Sequence, residues 1–199
     1  MAKLLYQKHA SLRIISNNNT VIFVDPYAGK GYGEKADLVL ITHEHHDHND
    51  LKKIEQKPDC TVISNVEALI DGKHQEFDVK GIHIQAVEAY NSKHNIEKCV
   101  GYIITVDAII IYVAGDTSKT KQMHEMKDMN IDYAFYPCDG MFNMNITEAA
   151  ECSKLVGAKH NIPYHKGPIE IFDKKMQDKF DVPGKMFLEE NDEIELIKL

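Results

Sequence analysis

The side chains best suited to chemistry lie at positions 43–48, which read His-Glu-His-His-Asp-His and directly follow the apolar run 37–41. Imidazole binds zinc, copper, iron and nickel, and carboxylate also binds manganese. A mixed set therefore indicates a catalytic transition-metal site rather than a closed, cysteine-rich structural one. A solvated histidine-rich turn is the alternative, but such a turn does not need the spacing His-x-His-x-Asp-His after a buried strand. The stretch predicts a metal-binding loop.

Further histidine and aspartate residues also follow apolar runs, at His94, Asp116 and His165. Loops gathered at one edge of two stacked sheets could bring them to the same point as the histidine loop. The candidate ligand set is therefore His43, His45, Asp47, His48, His94, Asp116 and His165. This set suffices for two metals, because one aspartate can bridge a pair of ions about 3.5–4 Å apart.

The chemistry of such a site is hydrolytic. A bound metal lowers the pKa of its water from about 15.7 to about 7, and it polarises the oxygen under attack. Water is then the nucleophile, so no catalytic serine or cysteine is required. Acceptors behind the imidazoles must orient them, and Asp25 and Glu44 are candidates. For Asp25, a different role is equally expected, in which its carboxylate caps backbone amides at the end of a strand.

The length and net charge of the chain limit the number of domains and the classes of partner. The chain has 199 residues, with 23 Lys and Arg against 31 Asp and Glu, which gives a net charge of −8. We expect one domain over 1–199 and no nucleic-acid partner, because such proteins present basic surfaces. No apolar run reaches membrane-spanning length and residues 1–9 do not resemble a signal peptide, so a cytoplasmic protein is expected. Whether it forms a homo-oligomer is left open.

The cysteines are predicted to be free, buried thiols, because they are widely spaced and form no Cys-x-x-Cys pair. Cys138, between Pro137 and Asp139, is the one expected near the site.

The hydrophobic pattern predicts an alternation of strands and helices. Strands are expected at 11–15, 20–25, 37–41, 60–64, 76–87, 100–106, 109–113, 132–136, 161–163, 185–188 and 193–197. Helices are expected after Asn49 up to 57–59, at 66–70, at 119–129, from Asn145 to Gly157 with Glu148 completing a capping box, and on the segment that carries Ile169, Phe172, Met176 and Phe180. Met123, Met126 and Met129 are predicted to be core residues. Two sheets with outer helices, a four-layer α/β/β/α sandwich, fit this inventory.

Several segments, in order along the chain, resemble the metallo-β-lactamase superfamily: Asp25-Pro26, the His-x-His-x-Asp-His motif within 42–48, Gly-Asp-Thr at 115–117 and Ile-Pro-Tyr-His at 162–165. The resemblance extends from end to end. Residues 89–91 ahead of His94, and Pro163-x-His165, further resemble the subgroup that contains L-ascorbate-6-phosphate lactonase and N-acylphosphatidylethanolamine phospholipase D.

The resemblance implies a division of the ligands between two metals. His43, His45 and His94 would hold the first metal, Asp47, His48 and His165 the second, and Asp116 would bridge. Asp47 would instead act as the general base if only the first site were filled. The ions expected are one or two divalent metals, Zn²⁺ first, with Mn²⁺ or Fe²⁺ as alternatives. His9 resembles a family position near the site and is predicted to be a structural histidine more than a ligand, and His46 is predicted to point away from the metals.

The expected substrate is a small, anionic ester, lactone or phosphodiester. Candidate walls of its pocket are 27–33, 90–91 and 139–144. Lys93, Lys98 and Lys166 flank the ligands and could hold an anion, although solvated surface lysines are the commoner case. Alternatives are a non-catalytic metal-binding or sensing module and a mononuclear iron oxygenase acting on a thiol or persulfide.

Overall fold

Two six-stranded sheets pack against each other in the computed structural model, which describes residues 1–167 and 172–198. The first sheet has the order β14-β1-β2-β3-β4-β5, and its strands are β1 (Lys3–Lys8), β2 (Ser11–Ile15), β3 (Val21–Val24), β4 (Ala36–Leu40), β5 (Gln56–Ile63) and β14 (Glu193–Glu195). The second has the order β13-β12-β11-β10-β9-β8, from β8 (Glu76–Val79), β9 (Ile82–Glu88), β10 (Val100–Val106), β11 (Ile109–Val113), β12 (Tyr133–Pro137) and β13 (His160–Tyr164).

Both sheets are mixed. Strands β3, β4 and β5 run parallel in the first sheet, as do β11, β12 and β13 in the second, and the remaining pairs are antiparallel. A small ribbon of β6 (Leu69–Ile70) and β7 (Lys73–His74) follows the short helix α1 (Asn65–Ala68). Parallel neighbours bring their carboxyl ends to one edge, so the loops after β4, β11 and β13 are the ones expected to carry functional groups.

A shared core fills the space between the sheets. Alternate residues of the first sheet, such as Leu12 and Leu38, pack against alternate residues of the second, such as Ile84 and Ile104. Burying such aliphatic side chains stabilises the fold by roughly 1.5–3 kcal/mol each. Tyr102 reaches across this core, because its hydroxyl donates to the carbonyl of Ile41 at 2.9 Å. The end of β4 is therefore fixed against the second sheet.

The outer layers differ in thickness. Helices α2 (Ile146–Val156) and α3 (Lys174–Lys179) cover the outer face of the second sheet together with two 3-10 turns, Gln122–His124 and Met126–Met129. The outer face of the first sheet is covered by a 3-10 turn, Leu51–Lys53, and by Tyr32. The predicted α/β/β/α sandwich is confirmed, with a thin outer layer on one side. None of the helices in the described part of the chain is both long and apolar enough to cross a membrane.

Two predicted helices are absent from the described residues, and the structure shows why. The segment 119–129 forms the two 3-10 turns, and it ends where Asn130 adopts a left-handed φ of 54°. Met123 and Met126 are nevertheless fully buried, so their assignment to the core is confirmed. The helix expected after Asn49 is only the 3-10 turn Leu51–Lys53, whose capping residue Asp50 makes no side-chain cap.

The strand β5 begins four residues earlier than predicted, at Gln56 instead of Cys60. Residues 57–59, with Pro58, looked like a helix terminator. They lie within an edge strand, at the point where its register against β4 shifts between Ala36 and Leu38. An edge strand tolerates proline, particularly at an irregularity, because the missing N–H faces no neighbour.

The strand predicted at 185–188 is a single bridge between Lys185 and Asn161. Beyond it, Phe187 packs with the outer core and Leu188 with the inner core, so the segment follows side-chain burial instead of continuing the ladder. The helix expected around 172–180 is confirmed as the shorter α3, while Ile169 lies outside the described residues.

Helix α2 begins and ends as predicted. The Asn145 side chain accepts from the amides of Thr147 and Glu148, and Gly157 closes the helix with a left-handed φ of 68°. The capping box is only half formed, because the Glu148 carboxylate accepts instead from the amide of Lys119.

Candidate metal centre

All seven candidate ligands gather at one edge of the sandwich. The loop after β4 supplies His43, His45, Asp47 and His48; the loops after β9, β11 and β13 supply His94, Asp116 and His165. Donor atoms come within 4.8 Å of one another in three overlapping groups: His43 with His45 and His94; His43 with His48 and Asp116; and His9 with Asp47, His48 and His165. The predicted convergence of distant strand ends is thus observed.

Asp116 stands between two sets of histidines. Its Oδ1 lies 3.4 Å from His48 Nε2 and 3.3 Å from His165 Nε2, whereas its Oδ2 lies 3.3 Å from His94 Nε2. One oxygen therefore faces each half of the cluster. We call His43, His45 and His94 the first half-site, and Asp47, His48 and His165 the second half-site.

Each half-site takes ligands from both sheets. In the first, His43 and His45 follow a strand of the first sheet, and His94 follows a strand of the second. In the second half-site, Asp47 and His48 come from the first sheet and His165 from the second. The backbone joins the two sides directly, because the amide of Val100 donates to the carbonyl of Thr42 at 3.0 Å.

Close backbone approach beneath Asp116 requires glycine at position 115. Gly115 has a φ of +66°, and an added Cβ would lie 2.8 Å from the carbonyl oxygen of Val100 and 3.1 Å from Cβ of Thr42. Any side chain would push the loop after β11 away from the histidine loop. Asp25 and His165 also adopt left-handed φ values, 45° and 47°, which for residues other than glycine is typical of strained functional sites.

Acceptors behind the imidazoles hold three of the histidines. Asp25 is fully buried, and its Oδ2 lies 2.8 Å from His48 Nδ1 while its Oδ1 accepts from the amide of Thr42. Both roles considered for Asp25, orienting a histidine and capping an amide, are therefore present. His43 Nδ1 lies 3.0 Å from the Thr42 hydroxyl, and His94 Nδ1 lies 3.1 Å from Asn91 Oδ1. The contact from Asn91 was not anticipated, although its position three residues before His94 was a usable signal.

The prediction that Glu44 orients an imidazole is wrong. Its side chain is exposed and accepts from the Asn49 amide instead of an imidazole. His43 and His45 join His94 in one donor group, although His45 is itself exposed, whereas the Glu44 carboxylate is bound to Asn49. His46, predicted to point away from the metals, is exposed and belongs to none of the three donor groups; its ring lies 6.0 Å from that of Tyr27.

His9 lies at the cluster, as the family position that it resembles implied, and its ring nitrogen belongs to the same donor group as Asp47, His48 and His165. Its Nε2 is 3.2 Å from Asp47 Oδ2, and its ring lies against that of His165 with centroids 3.7 Å apart and the planes tilted by 40°. The carbonyl of His9 also accepts from the amide of His165 at 3.1 Å. The preceding irregularity in β1, between Tyr6 and Lys8, turns this residue toward the second half-site. Such a break in a ladder cannot be read from residue types alone.

Cys138 lies directly behind the site, as expected, and all four cysteines are free. Its amide donates to the carbonyl of Tyr164 at 3.1 Å, and its buried thiol contacts the same oxygen at 3.2 Å. Cys138 therefore supports the backbone that presents His165.

Burial and charge set the protonation of the cluster. Burial and the neighbouring charge of His48 lower the pKa of His43 to about 2, and burial lowers the pKa of His94 and of His165. Burial raises the pKa of Asp116, but the histidines around it lower that pKa by a larger amount, so it falls below the ordinary value. Neutral imidazoles beside an ionised carboxylate are the states that metal ligation requires.

His48 behaves differently. Burial lowers its pKa, but the carboxylates of Asp116 and Asp25 outweigh burial and raise the pKa overall. This imidazole therefore lies in a locally negative field, in which a cation is stabilised.

The residues present fit a metal ion. His43 Nε2 and Asp116 Oδ1 are buried and have no hydrogen-bond partner among the residues that the structure describes. Leaving a buried polar atom unpaired costs about 1–3 kcal/mol, so such atoms need an explanation. Both atoms point into a set of nitrogen and oxygen donors without cysteine, which suits a catalytic rather than a structural transition-metal site.

Three cavities border the cluster, one at each half-site and one at Asp116. One, of about 340 Å³, borders the second half-site between Tyr27, Ala28 and Phe142. Another, of about 700 Å³, borders the first half-site beside Lys93 and Lys98. The third, of about 510 Å³, lies over Asp116 and shares Phe142 with the first cavity and Lys93 with the second. Lys166, the third flanking lysine, instead lies over the ring of Phe172 at 5.7 Å.

Comparison with known proteins identifies the family of the chain. The family model described as the beta-lactamase superfamily domain matches residues 3–165. A UPF0173 metal-dependent hydrolase of Thermococcus onnurineus is 30% identical, over 94% of this chain and 99% of that protein. Among solved structures, a protein of Parabacteroides distasonis whose name includes the words "metal-dependent hydrolase" is 31% identical, with a TM-score of 0.76 over 95% of this chain and 93% of that one. Igni18, a metallo hydrolase of Ignicoccus hospitalis, is 21% identical and shares the fold, with a TM-score of 0.77 over 97% of each chain.

Proposed function

The chain belongs to the metallo-β-lactamase superfamily, within its UPF0173 metal-dependent hydrolases, and from this premise we propose that it hydrolyses a small, anionic ester, lactone or phosphodiester. It is a metal-dependent hydrolase. The observation that carries the proposal is the position of Asp116, whose two oxygens face histidines of different half-sites. That arrangement supports a pair of metals with a bridging carboxylate.

In this proposal each half-site would hold one ion. His43, His45 and His94 would hold the first, Asp47, His48 and His165 would hold the second, and Asp116 would serve both. Zinc is the expected metal, with manganese or iron as alternatives, because imidazole with carboxylate suits all three. When bound, the metal supplies hydroxide at neutral pH and polarises the oxygen under attack. If only the first half-site is filled, Asp47 is free to accept the proton of the attacking water.

The protein's own groups then hold this arrangement. Asp25 keeps His48 oriented through Nδ1, which leaves Nε2 directed at Asp116. His9 donates toward Asp47, and this hydrogen bond, which outweighs burial, lowers the pKa of the carboxyl below its ordinary value. Asp47 is thereby kept ionised at neutral pH, as both a ligand and a proton acceptor must be.

The cavities support a substrate with an apolar part and an anionic part. Tyr27 and Phe142 form an aromatic wall beside the second half-site, and Phe142 is 56% exposed, ready to cover an organic group. Lys93 borders both the cavity over Asp116 and the one beside the first half-site. Glu44 and Glu97 line that outer cavity too, so it carries no net charge. In the cavity over Asp116, Lys93 faces the carboxylates of Asp47 and Asp116, so an anion is favoured there once bound metal offsets those two charges, and Lys93 then adds to its binding. The expected classes match the lactonase and phosphodiesterase subgroup that the sequence resembles.

The test combines metal analysis with a substrate panel. We expect purified protein to contain one or two equivalents of zinc or manganese, and the metal-replete enzyme to hydrolyse members of a panel of lactones, phosphodiesters and thioesters. Activity should disappear on chelation and return with added metal. Full activity of metal-stripped protein would refute the proposal. One equivalent of iron with no hydrolysis would favour the oxygenase alternative, and stoichiometric metal without turnover the sensing module.

Two aryl esters of matched length test the role of Lys93. In 4-nitrophenyl hydrogen adipate the acyl chain ends in a carboxylate, and in 4-nitrophenyl hexanoate it ends in a methyl group. We expect Lys93→Gln to raise KM about threefold to tenfold for the anionic ester only, because a partly exposed ion pair contributes about 0.2–1 kcal/mol and a confined one somewhat more. Lys154→Gln, on the exposed face of α2, is the matched control. Equal effects on both esters would contradict this role for Lys93.

A further inference from the structure

A chain of polar side chains connects histidines of the two half-sites behind the metal-facing atoms. Asn91 contacts His94, Asn91 Nδ2 lies 3.4 Å from Asn143 Oδ1, and Asn143 Nδ2 donates to Asp139 Oδ2 at 2.7 Å. At the far end, Asp139 Oδ2 is 3.6 Å from Nδ1 of His165.

The orientation of the Asn91 amide is fixed by its backbone partners. Its Oδ1 accepts from the amide of Lys93 at 2.8 Å and from the amide of His94 at 3.0 Å. Both are donors that cannot reverse, so the atom facing them is the oxygen. The same oxygen lies 3.1 Å from His94 Nδ1. His94 must therefore carry its proton on Nδ1, and its Nε2 keeps a free lone pair toward the cluster.

The other end of the amide holds the loop that carries the aromatic wall. Asn91 Nδ2 donates to the carbonyl of Phe142 at 3.0 Å. Asp139 holds the same loop from within, because its Oδ1 accepts from the amides of Met141 and Phe142. The side chain of Asp139 is only 6% exposed, and Asn143 is buried. One amide thus contacts a metal-facing histidine on one side and the substrate-facing loop on the other.

We propose that Asn91 is a positioning residue that fixes the metal-binding tautomer of His94 and couples metal binding at the first half-site to the conformation of the 139–144 loop. The proposal rests on the proposed function in one respect, since it requires a metal at His94. It extends that function by linking the metal to the wall of the substrate cavity. An enzyme without metal would then present a looser Phe142 wall and bind substrate weakly.

Two substitutions distinguish the contact of Asn91 with His94 from its contacts with the 139–144 loop. Asn91→Asp keeps an oxygen for His94 Nδ1 but removes the Nδ2 donors to the loop, whereas Asn91→Ala removes both contacts. We expect Asn91→Ala to lower Zn²⁺ affinity about 10- to 100-fold, the usual effect of losing a ligand's orienting partner. We expect Asn91→Asp to bind Zn²⁺ within about threefold of the wild type, because the acceptor is retained. Asn18→Ala, in the exposed β2–β3 turn, is the control.

The measurements are Zn²⁺ titration against a chromophoric chelator and hydrogen exchange of the peptide that spans 139–144, with and without Zn²⁺. In the wild type, Zn²⁺ should slow exchange of this peptide about tenfold; in Asn91→Asp this protection should be lost although the metal still binds. Circular dichroism verifies folding. If Asn91→Ala does not fold, the wild type and Asn91→Asp still provide the exchange test.

The proposal is overturned if Asn91→Ala binds Zn²⁺ as tightly as the wild type, if Asn91→Asp loses as much affinity as Asn91→Ala, or if Zn²⁺ leaves exchange at 139–144 unchanged in the wild type. Failure of the wild type to bind Zn²⁺, manganese or iron in any stoichiometric amount would instead remove the proposed function itself, and this inference with it.

Discussion

Replacing Asp25 by asparagine should switch the tautomer of His48 and so weaken the second half-site. Asp25 Oδ1 accepts from the amide of Thr42 at 2.8 Å, a donor that cannot reverse, so in Asp25→Asn the oxygen must stay there. The new NH₂ group would then face Nδ1 of His48, now 2.8 Å from Asp25 Oδ2. Nδ1 must accept instead of donate, which moves the imidazole proton to Nε2.

The expected loss of metal affinity follows from the surroundings of His48 Nε2. This nitrogen lies 3.4 Å from Asp116 and 3.2 Å from Nε2 of His165, in the centre of the second half-site. A proton there blocks metal ligation. Loss of an orienting partner typically lowers metal affinity 10- to 100-fold, or about 1.4–2.7 kcal/mol. The buried charge-assisted hydrogen bond that disappears contributes a further 1.5–3 kcal/mol or so to folding.

The assay is Zn²⁺ titration with chelator competition on wild type, Asp25→Asn and Asp37→Asn. Asp37 is also a buried carboxylate, but Lys57 and Lys80 pair with it at a distance from the cluster. Asp37→Asn should therefore lose stability and keep its metal affinity. If Asp25→Asn binds the second equivalent of Zn²⁺ as tightly as the wild type, the reasoning on the His48 tautomer is refuted.

Two other outcomes follow from buried carboxylates. Asp116→Ala should lose hydrolysis of its best panel substrate and most of its bound metal by elemental analysis, because Asp116 lies 3.3–3.4 Å from histidines of both half-sites; normal metal content with normal turnover would contradict the bridging role. For Asp37, burial raises the pKa, but Lys57 and Lys80 lower it by a larger amount, so the pKa is about 2. Its stabilisation, about 2 kcal/mol from a shift of nearly two pKa units, is complete above the unfolded pKa of about 3.9 and is lost as the pH falls toward 2. Urea unfolding of wild type and Asp37→Asn should thus differ by the full amount above about pH 5, and the difference should shrink as the pH falls from about 4 to 2; a difference independent of pH would argue against the ion pairs.

The convergence of the candidate ligands could be predicted from the sequence because it depends on residue types at strand ends, and the apolar runs that define those ends are strong signals. His43, Asp116 and His165 are found in this way. The neighbours that orient them could be predicted only in part. Asp25 was among the candidates, whereas the contact of Asn91 with His94 depends on how a loop folds back on itself, and His9 follows an irregularity in β1.

Errors in the secondary structure had a similar origin. Pro58 is a reliable helix terminator in isolation, but on an edge strand its missing N–H has no consequence. Residues three apart lie on the same face of a 3-10 turn and of an α-helix. The spacing of Met123, Met126 and Met129 therefore fits both. Periodicity located the core face correctly and left the helix type undetermined.

Since each half-site takes its ligands from both sheets, neither exists until the sheets have docked. A metal at either position would be a cross-link between the two halves of the sandwich, present only in the folded state. Its contribution to folding would be set by free metal concentration through mass action, about 2.7 kcal/mol per site at a hundred times the dissociation constant. Metal scarcity would then reduce the lifetime of the protein as well as its activity, and the fraction of intact molecules would report the metal supply around it.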